Sequence, residues 1–194
     1  SVANPPKYSL AVYPYAETLT CERDGDQDKI HVTYPATQTY AGNSFAKGTH
    51  LMVSAGTIPD KADNNLQFRN ACGYLVLKLY GNNTKVKSIA LSSRTGNEKI
   101  AGAATIVAKS NAAPVTTMSD AAGSTVTLNC GDGVALGADA DHATEFWFCL
   151  PPDRMLLLRS LCCTLLSCQM LRLCFLSSLF TFFFRNFSIS SCCS

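Results

Sequence analysis

YLVLKLYGNNTKVKSIAL, residues 74–91, decides the fold. In its first half Leu75, Leu77 and Leu79 alternate with other side chains, and a period of two sets them on one face of an extended strand. In its second half Val86 to Leu91 again carries an apolar face and a polar one. The Gly81-Asn82-Asn83 loop lies between them, and Gly and Asn tolerate the positive φ angles that tight turns need. Residues 74–80 and 86–91 are therefore expected to pair across that loop as a central hairpin.

The same grammar extends outward in both directions. Apolar, β-branched and aromatic runs occur at Tyr8 to Tyr13, Ile30 to Tyr34, His50 to Val53, Leu66 to Phe68, Ala103 to Ala108, Thr125 to Cys130 and Glu145 to Leu150. Turn residues separate them: Asp24-Gly25, Gly42-Asn43, Thr95-Gly96-Asn97 and Gly131-Asp132-Gly133. Proline cannot donate to a strand ladder, so Pro14 and Pro35 are expected to end strands. In the last run Trp147 should face away from Phe146 and Phe148. No segment has the 3.6-residue periodicity and caps of an amphipathic helix, so the expected class is all-β, an antiparallel β-sandwich.

Composition divides the 194-residue chain at Pro151-Pro152. Residues 1–152 hold Cys21, Cys72, Cys130 and Cys149 and read as one domain with a core of its own. Residues 153–194 contain ten Leu, eight Ser, six Phe and six Cys but no Gly, Ala, Val, Lys or Glu. Those dominant residues share T-rich codons, so the tail reads as out-of-frame translation or a disordered extension. As a membrane span it is cut by Arg159, Arg172 and Arg185, leaving only twelve residues between successive arginines where about 18 to 20 apolar ones are needed. No transmembrane helix is expected. Disulfide modules reverse the chain with Gly, Pro and polar turns, which are missing here; exposed apolar surface of this kind favours aggregation. The formal charge of +2 is spread along the chain, which argues against a nucleic-acid partner.

Four segments carry a resemblance: YSLAVYPY (8–15), KIHVTYPATQTYAGNSFAKGTHLMVS (29–54), the long stretch from Leu66 to Ile106, and TEFWFCLPP (144–152). In this order they resemble the Bacteroides-type fimbrillin family of fimbrial subunits and surface lipoproteins. The resemblance covers most of residues 8–152 and stops at the tail. It implies a transthyretin-like, Greek-key type sandwich, incomplete at its C-terminal end because family members continue with further strands after the Pro-Pro. It also implies an exported protein at the cell outer membrane or cell surface, a pilus subunit or accessory component in adhesion. Its partners would be other fimbrial subunits joined by β-strand addition. A carbohydrate- or host-ligand-binding module of an outer-surface lipoprotein is the alternative. The chain starts at Ser1 without the charged, apolar and small-residue pattern of a signal peptide, so a mature fragment or an incomplete gene product is expected.

Residue chemistry points away from catalysis. Asp24 to Asp28 begins like a calcium loop, but Lys29 stands where glycine is needed and Pro35 where a bidentate Glu is needed, so a solvated hairpin turn is expected. Asp139, Asp141, His142 and Glu145 could gather around a base or a metal; His31, His50 and His142 show no zinc-site spacing, so an exposed loop is expected. Gly131-Asp132-Gly133 and Gly137 lack the Gly-Lys-Ser/Thr of a phosphate loop and read as a turn. Cys72 and Cys149 sit in apolar runs and read as small core residues. Asn82-Asn83-Thr84 fits the glycosylation acceptor pattern and marks a surface turn. No catalytic, cofactor-binding or metal-ligating residue is assigned; the expectation is a protein that is not an enzyme and uses no cofactor.

Overall fold

The computed structural model describes residues 9–24, 27–56, 67–93, 97–109, 112–152, 161–165 and 170–176. The Gly25-Asp26 and Thr95-Gly96 turn signals, Leu66, and tail residues 153–160, 166–169 and 177–194 lie outside these. The described chain is built from strands: β1 Ser9–Tyr13, β2 Thr20–Asp24, β3 Gln27–Tyr34, β4 Thr37–Thr39, β5 Met52–Gly56, β6 Arg69–Asn70 and β7 Gly73–Tyr80. There follow β8 Lys85–Ser93, β9 Gly102–Ala108, β10 Val115–Met118, β11 Thr125–Ala135, β12 Thr144–Leu150, β13 Leu161–Leu165 and β14 Met170–Leu176. The all-β class expected from the sequence is the observed one.

The strands form four sheets, ordered β1-β5-β6, β10-β9-β3-β2, β13-β8-β11-β4 and β12-β7-β14. Their apolar faces close two buried clusters. Ile30, Val32 and Tyr34 of β3, Ala104 and Ile106 of β9, Val53 of β5 and partly buried Leu10 and Val12 of β1 gather in the first. Leu75, Leu77 and Leu79 of β7, Ile89 and Leu91 of β8, Val126 and Leu128 of β11, and Phe146 and Phe148 of β12 gather in the second. Each cluster is thus walled by two sheets, as in a β-sandwich. The two are not successive in sequence, since β4 and β7 to β8 serve the second while β5, β6, β9 and β10 serve the first.

Several sequence expectations hold residue by residue. Leu75, Leu77 and Leu79 are each buried on the core face, and Phe146 and Phe148 are buried while Trp147 is half-buried. Strand β1 ends at Tyr13 before Pro14, and β3 ends at Tyr34 before Pro35. β2 and β3 form a hairpin with Asp24 opposite Gln27.

The central hairpin is a correction. β7 pairs with β12 and β14, whereas β8 pairs with β11 and β13. Residues 81–84 carry the chain from one sheet to the facing one, with Asn83 at φ 53° taking the left-handed conformation that Asn tolerates. An arch of this kind turns both apolar faces toward one core, whereas a hairpin would set them side by side. The alternation is the same in either case, so pattern alone does not select between them.

Gly131-Asp132-Gly133 is a second correction: these residues lie inside β11 and do not turn the chain. The register jumps from Asn129 opposite Ser88 to Val134 opposite Val86, so the segment bulges, with Gly131 at φ 60° and Gly133 at φ 111°. Glycine supplies the positive φ that a bulge of this type uses. Val86 and Ile89, three residues apart on β8, both reach the core beside this bulge. The expected strand at Leu66 to Phe68 is displaced: the extended pair is Arg69–Asn70 of β6. Strands β2, β4 and β10 went unread, being short and Thr-rich or polar, and β13 and β14 fall in the tail, where no strand was expected. β4 pairs parallel to β11, an exception within an otherwise antiparallel set.

Candidate functional site

The densest meeting of polar and reactive side chains lies at the seam between the two cores. Its origin is local. β12 is an edge strand, and its Cys149 stands opposite Tyr74 of β7. A bare edge exposes backbone donors and acceptors that must be satisfied. Gln38 of β4 does this with its side chain: its Nε2 donates to the Cys149 carbonyl at 2.7 Å, and its Oε1 accepts from the Cys149 N–H at 3.0 Å. The amide substitutes for one peptide unit of a neighbouring strand. Gln38 is only 2% exposed, flanked by exposed Thr37 and Thr39.

Cys149 belongs to β12 of the second sandwich, yet its side chain is part of the first core together with Cys72, Ala71 and Leu51. The Cys72 thiol donates to the Leu51 carbonyl at 3.7 Å. The Tyr34 hydroxyl donates to the Ala71 carbonyl just before Cys72, pinning the start of β7 to β3. The thiols of Cys72 and Cys149 and the Tyr74 hydroxyl lie near enough to perturb one another's titration, and Thr49 acts on Cys149 as well. Donation from Cys149, aided by Tyr74 and opposed by burial, holds Cys72 below the ordinary thiol range. Cys149 is pushed up, first by that hydrogen bond and then by burial. Burial, with Cys72 alongside, also raises the Tyr74 phenol.

Aromatic rings cover this pair. Phe45 stacks on Tyr74 with centroids 5.2 Å apart, and His50 stands edge-on to Phe45 at 4.8 Å and to Tyr74 at 5.4 Å. His50 Nε2 is 3.1 Å from Asn70 Oδ1, which ties the ring to β6. Beside β4 a shallow groove of about 320 Å³ is lined by Pro35, Thr37, Thr39, Lys47, Gly48 and Thr49. Its walls mix apolar Pro35 and Ala46 with threonine hydroxyls, the Gln38 amide and the Lys47 ammonium.

The residues singled out in the sequence lie elsewhere and apart. Asp24 pairs with Lys29 at 2.5 Å in the β2–β3 hairpin. His31 faces Thr105 Oγ1 at 3.2 Å and Glu22 at 3.3 Å. Asp139 and His142 form an exposed pair at 2.7 Å, and Asp139 Oδ1 also accepts from the Asp141 and His142 N–H groups, fixing the loop before β12. Glu145 does not join them; it binds Lys78 across the β7–β12 pair at 2.6 Å and accepts from the Trp147 indole at 3.1 Å. Gly137 bridges to Tyr80, and an added methyl there would overlap the His142 carbonyl. Cys72 and Cys149 are core residues as expected, while Cys130 is buried in the other cluster with its thiol pushed up to about 11 by desolvation. Among the described residues no group of three or more His, Cys, Asp or Glu side chains is gathered around a common point for a metal ion.

Glu145 carries a pH dependence. Its carboxyl is held below the ordinary range, chiefly by the Lys78 hydrogen bond and also by Trp147, against partial burial. A depressed folded-state value stabilises the fold above the unfolded value of about 4.3 and loses that contribution as pH falls through the folded one. Glu145→Gln is therefore expected to flatten the acid limb of the stability curve below about pH 4.3 while costing under about 1 kcal/mol at pH 7. Urea midpoints between pH 3 and 7, read by Trp147 fluorescence, check this; unchanged acid slopes would refute it.

Gln38 is the seam residue that sequence reasoning missed. Its only trace is the alternation in Thr37-Gln38-Thr39, which sets it on the face opposite both threonines. Among the described residues no helix is long and apolar enough to cross a membrane. No family model, curated protein or solved structure matches the chain.

Proposed function

We propose that the chain is a non-enzymatic cell-surface protein of structural or adhesive role, a fimbrillin-like pilus subunit or accessory component. Its place is the outer membrane or cell surface, and its partners are other subunits joined by strand addition. One observation carries this reading: β7 and β8 each have a second flank that takes up an extended segment. Residues 161–165 pair with β8 in five registered positions and residues 170–176 with β7 in seven. These segments come from the stretch whose composition is foreign to the body, so the flanks accept strands through backbone hydrogen bonds with little demand on sequence. That is the requirement for β-augmentation, in which main-chain bonds give affinity and side-chain pockets give selectivity. The resemblance of residues 8–152 to fimbrillins supports the same conclusion.

The test compares residues 1–152 with the full chain by sedimentation velocity, after circular dichroism has established that both are β-rich. Residues 1–152, with both flanks bare, are expected to self-associate and to capture a strand peptide on a soluble carrier. A shortened chain that stays monomeric at tens of micromolar and captures no strand peptide would defeat the reading. The groove beside β4 favours a second one, the ligand-binding module; a monomer that binds glycans on an array, and loses them on Lys47→Ala, would establish that alternative.

A further inference from the structure

We propose that Cys72 and Cys149 are an oxidation site, joined by a disulfide in an oxidising compartment so that the seam between the two cores becomes covalent. The register is the first support. Gly73 stands opposite Leu150 and Tyr74 opposite Cys149. Cys72 therefore lies one residue outside the ladder, diagonal to Cys149 on the neighbouring strand and on the same face of the sheet. Both side chains enter the same cluster, with 5% and 1% exposure. The two thiols perturb one another's titration, as neighbouring groups do.

Two further cysteines of residues 1–152 are placed differently. Cys21 is exposed on β2, and Cys130 is buried in the second cluster. The pair is also held in place. Gln38 fixes the Cys149 backbone from one side, and Tyr34 fixes the residue before Cys72 from the other. The bond from Cys72 to Leu51 is long at 3.7 Å.

The chemistry is thiol–disulfide exchange with a small-molecule disulfide such as oxidised glutathione. Cys72, as thiolate, attacks one sulfur of the oxidant, forming a mixed disulfide and expelling one thiolate. Cys149 then gives up its proton and attacks the Cys72 sulfur, forming the Cys72–Cys149 bond and expelling the second thiolate. The protein loses two electrons and two protons, and the oxidant is reduced to two thiols. Cys72 takes the nucleophilic role as the more accessible of the two, 5% exposed against 1% for Cys149.

The experiment equilibrates the folded full chain with glutathione redox buffer at pH 8, quenches in acid, blocks free thiols, and maps tryptic peptides. The expected product joins Asn70–Lys78 to Ser110–Arg154, two hydrogens lighter than the separate peptides. Ser110–Arg154 also contains Cys130, so the linkage must persist in Cys130→Ala. The oxidised chain should show an unfolding equilibrium constant about a hundredfold lower than the reduced chain, with the difference abolished by dithiothreitol. Cys72 and Cys149 both blocked as free thiols, in a chain whose Trp147 emission is native before the quench, overturns the proposal. So does a Cys72 linked mainly to Cys21, Cys130 or a tail cysteine. Because wild-type mapping decides it, misfolding of a cysteine variant does not obscure the answer.

Discussion

Phe146→Ala is expected to remove about 3–5 kcal/mol of stability, the usual cost of deleting a buried aromatic ring and leaving its cavity. Phe146 is fully buried opposite Leu77, with its ring centroid 5.3 Å from that of Tyr40. It sits where sheets β12-β7-β14 and β13-β8-β11-β4 close on one another, so neighbouring strands cannot collapse into the void without losing register. A domain has only about 5–15 kcal/mol of stability in total, so the variant should be marginal at 37 °C. Urea titration followed by circular dichroism measures the loss. The half-buried neighbour supplies the contrast: Trp147→Phe should cost under about 1.5 kcal/mol. Equal losses at the two positions would mean that the alternation of β12 has been misassigned.

Gln38→Leu is expected to cost about 2–4 kcal/mol. The leucine fills a similar volume but leaves the Cys149 N–H and C=O without partners, and each buried unpaired group costs about 1–3 kcal/mol. Gln38→Glu gives a sharper result. The protonated acid mimics the amide, its O–H donating to the Cys149 carbonyl and its C=O accepting from the N–H. The carboxylate accepts but cannot donate, and it is a buried charge. Its folded-state pKa is therefore raised above the unfolded value of about 4.3. A raised acid stabilises the fold below that unfolded value and loses the contribution as pH rises, so Gln38→Glu should weaken steadily from pH 4 toward pH 7. That slope is opposite in sign to the one expected from Glu145. A pH-independent loss for Gln38→Glu would show that the amide does not bridge the β12 edge.

The elements legible in the sequence were those whose signal is local. Leu75, Leu77 and Leu79 declare a strand face without reference to any partner, and so do Phe146, Trp147 and Phe148. Pro14 and Pro35 mark strand ends because the missing N–H acts at the residue itself. Partner choice was illegible. Tyr74–Tyr80 and Val86–Leu91 look equally well made for a hairpin or an arch, and the true mates of β7 and β8, β12 and β11, lie far along the chain. Gly131 and Gly133 announce positive φ but not whether the chain then turns or bulges. The seam was hidden for the same reason. Cys72, Cys149 and Gln38 are unremarkable in their own surroundings, and only the register of β7 on β12 and the parallel pairing of β4 on β11 bring them together.

The interleaving of the two cores governs how the chain can be made and broken. Strands of the first sandwich run from β1 to β10, and those of the second from β4 to β14, so no single cut between β4 and β10 yields a fragment owning a whole core. During synthesis the N terminus emerges first, but β3 must wait for β9, and β7 must wait for β12. Most of the body is therefore outside before either hydrophobic interior can close. Such a chain exposes its apolar strands until late in its making, and its non-local pairings are slow to form.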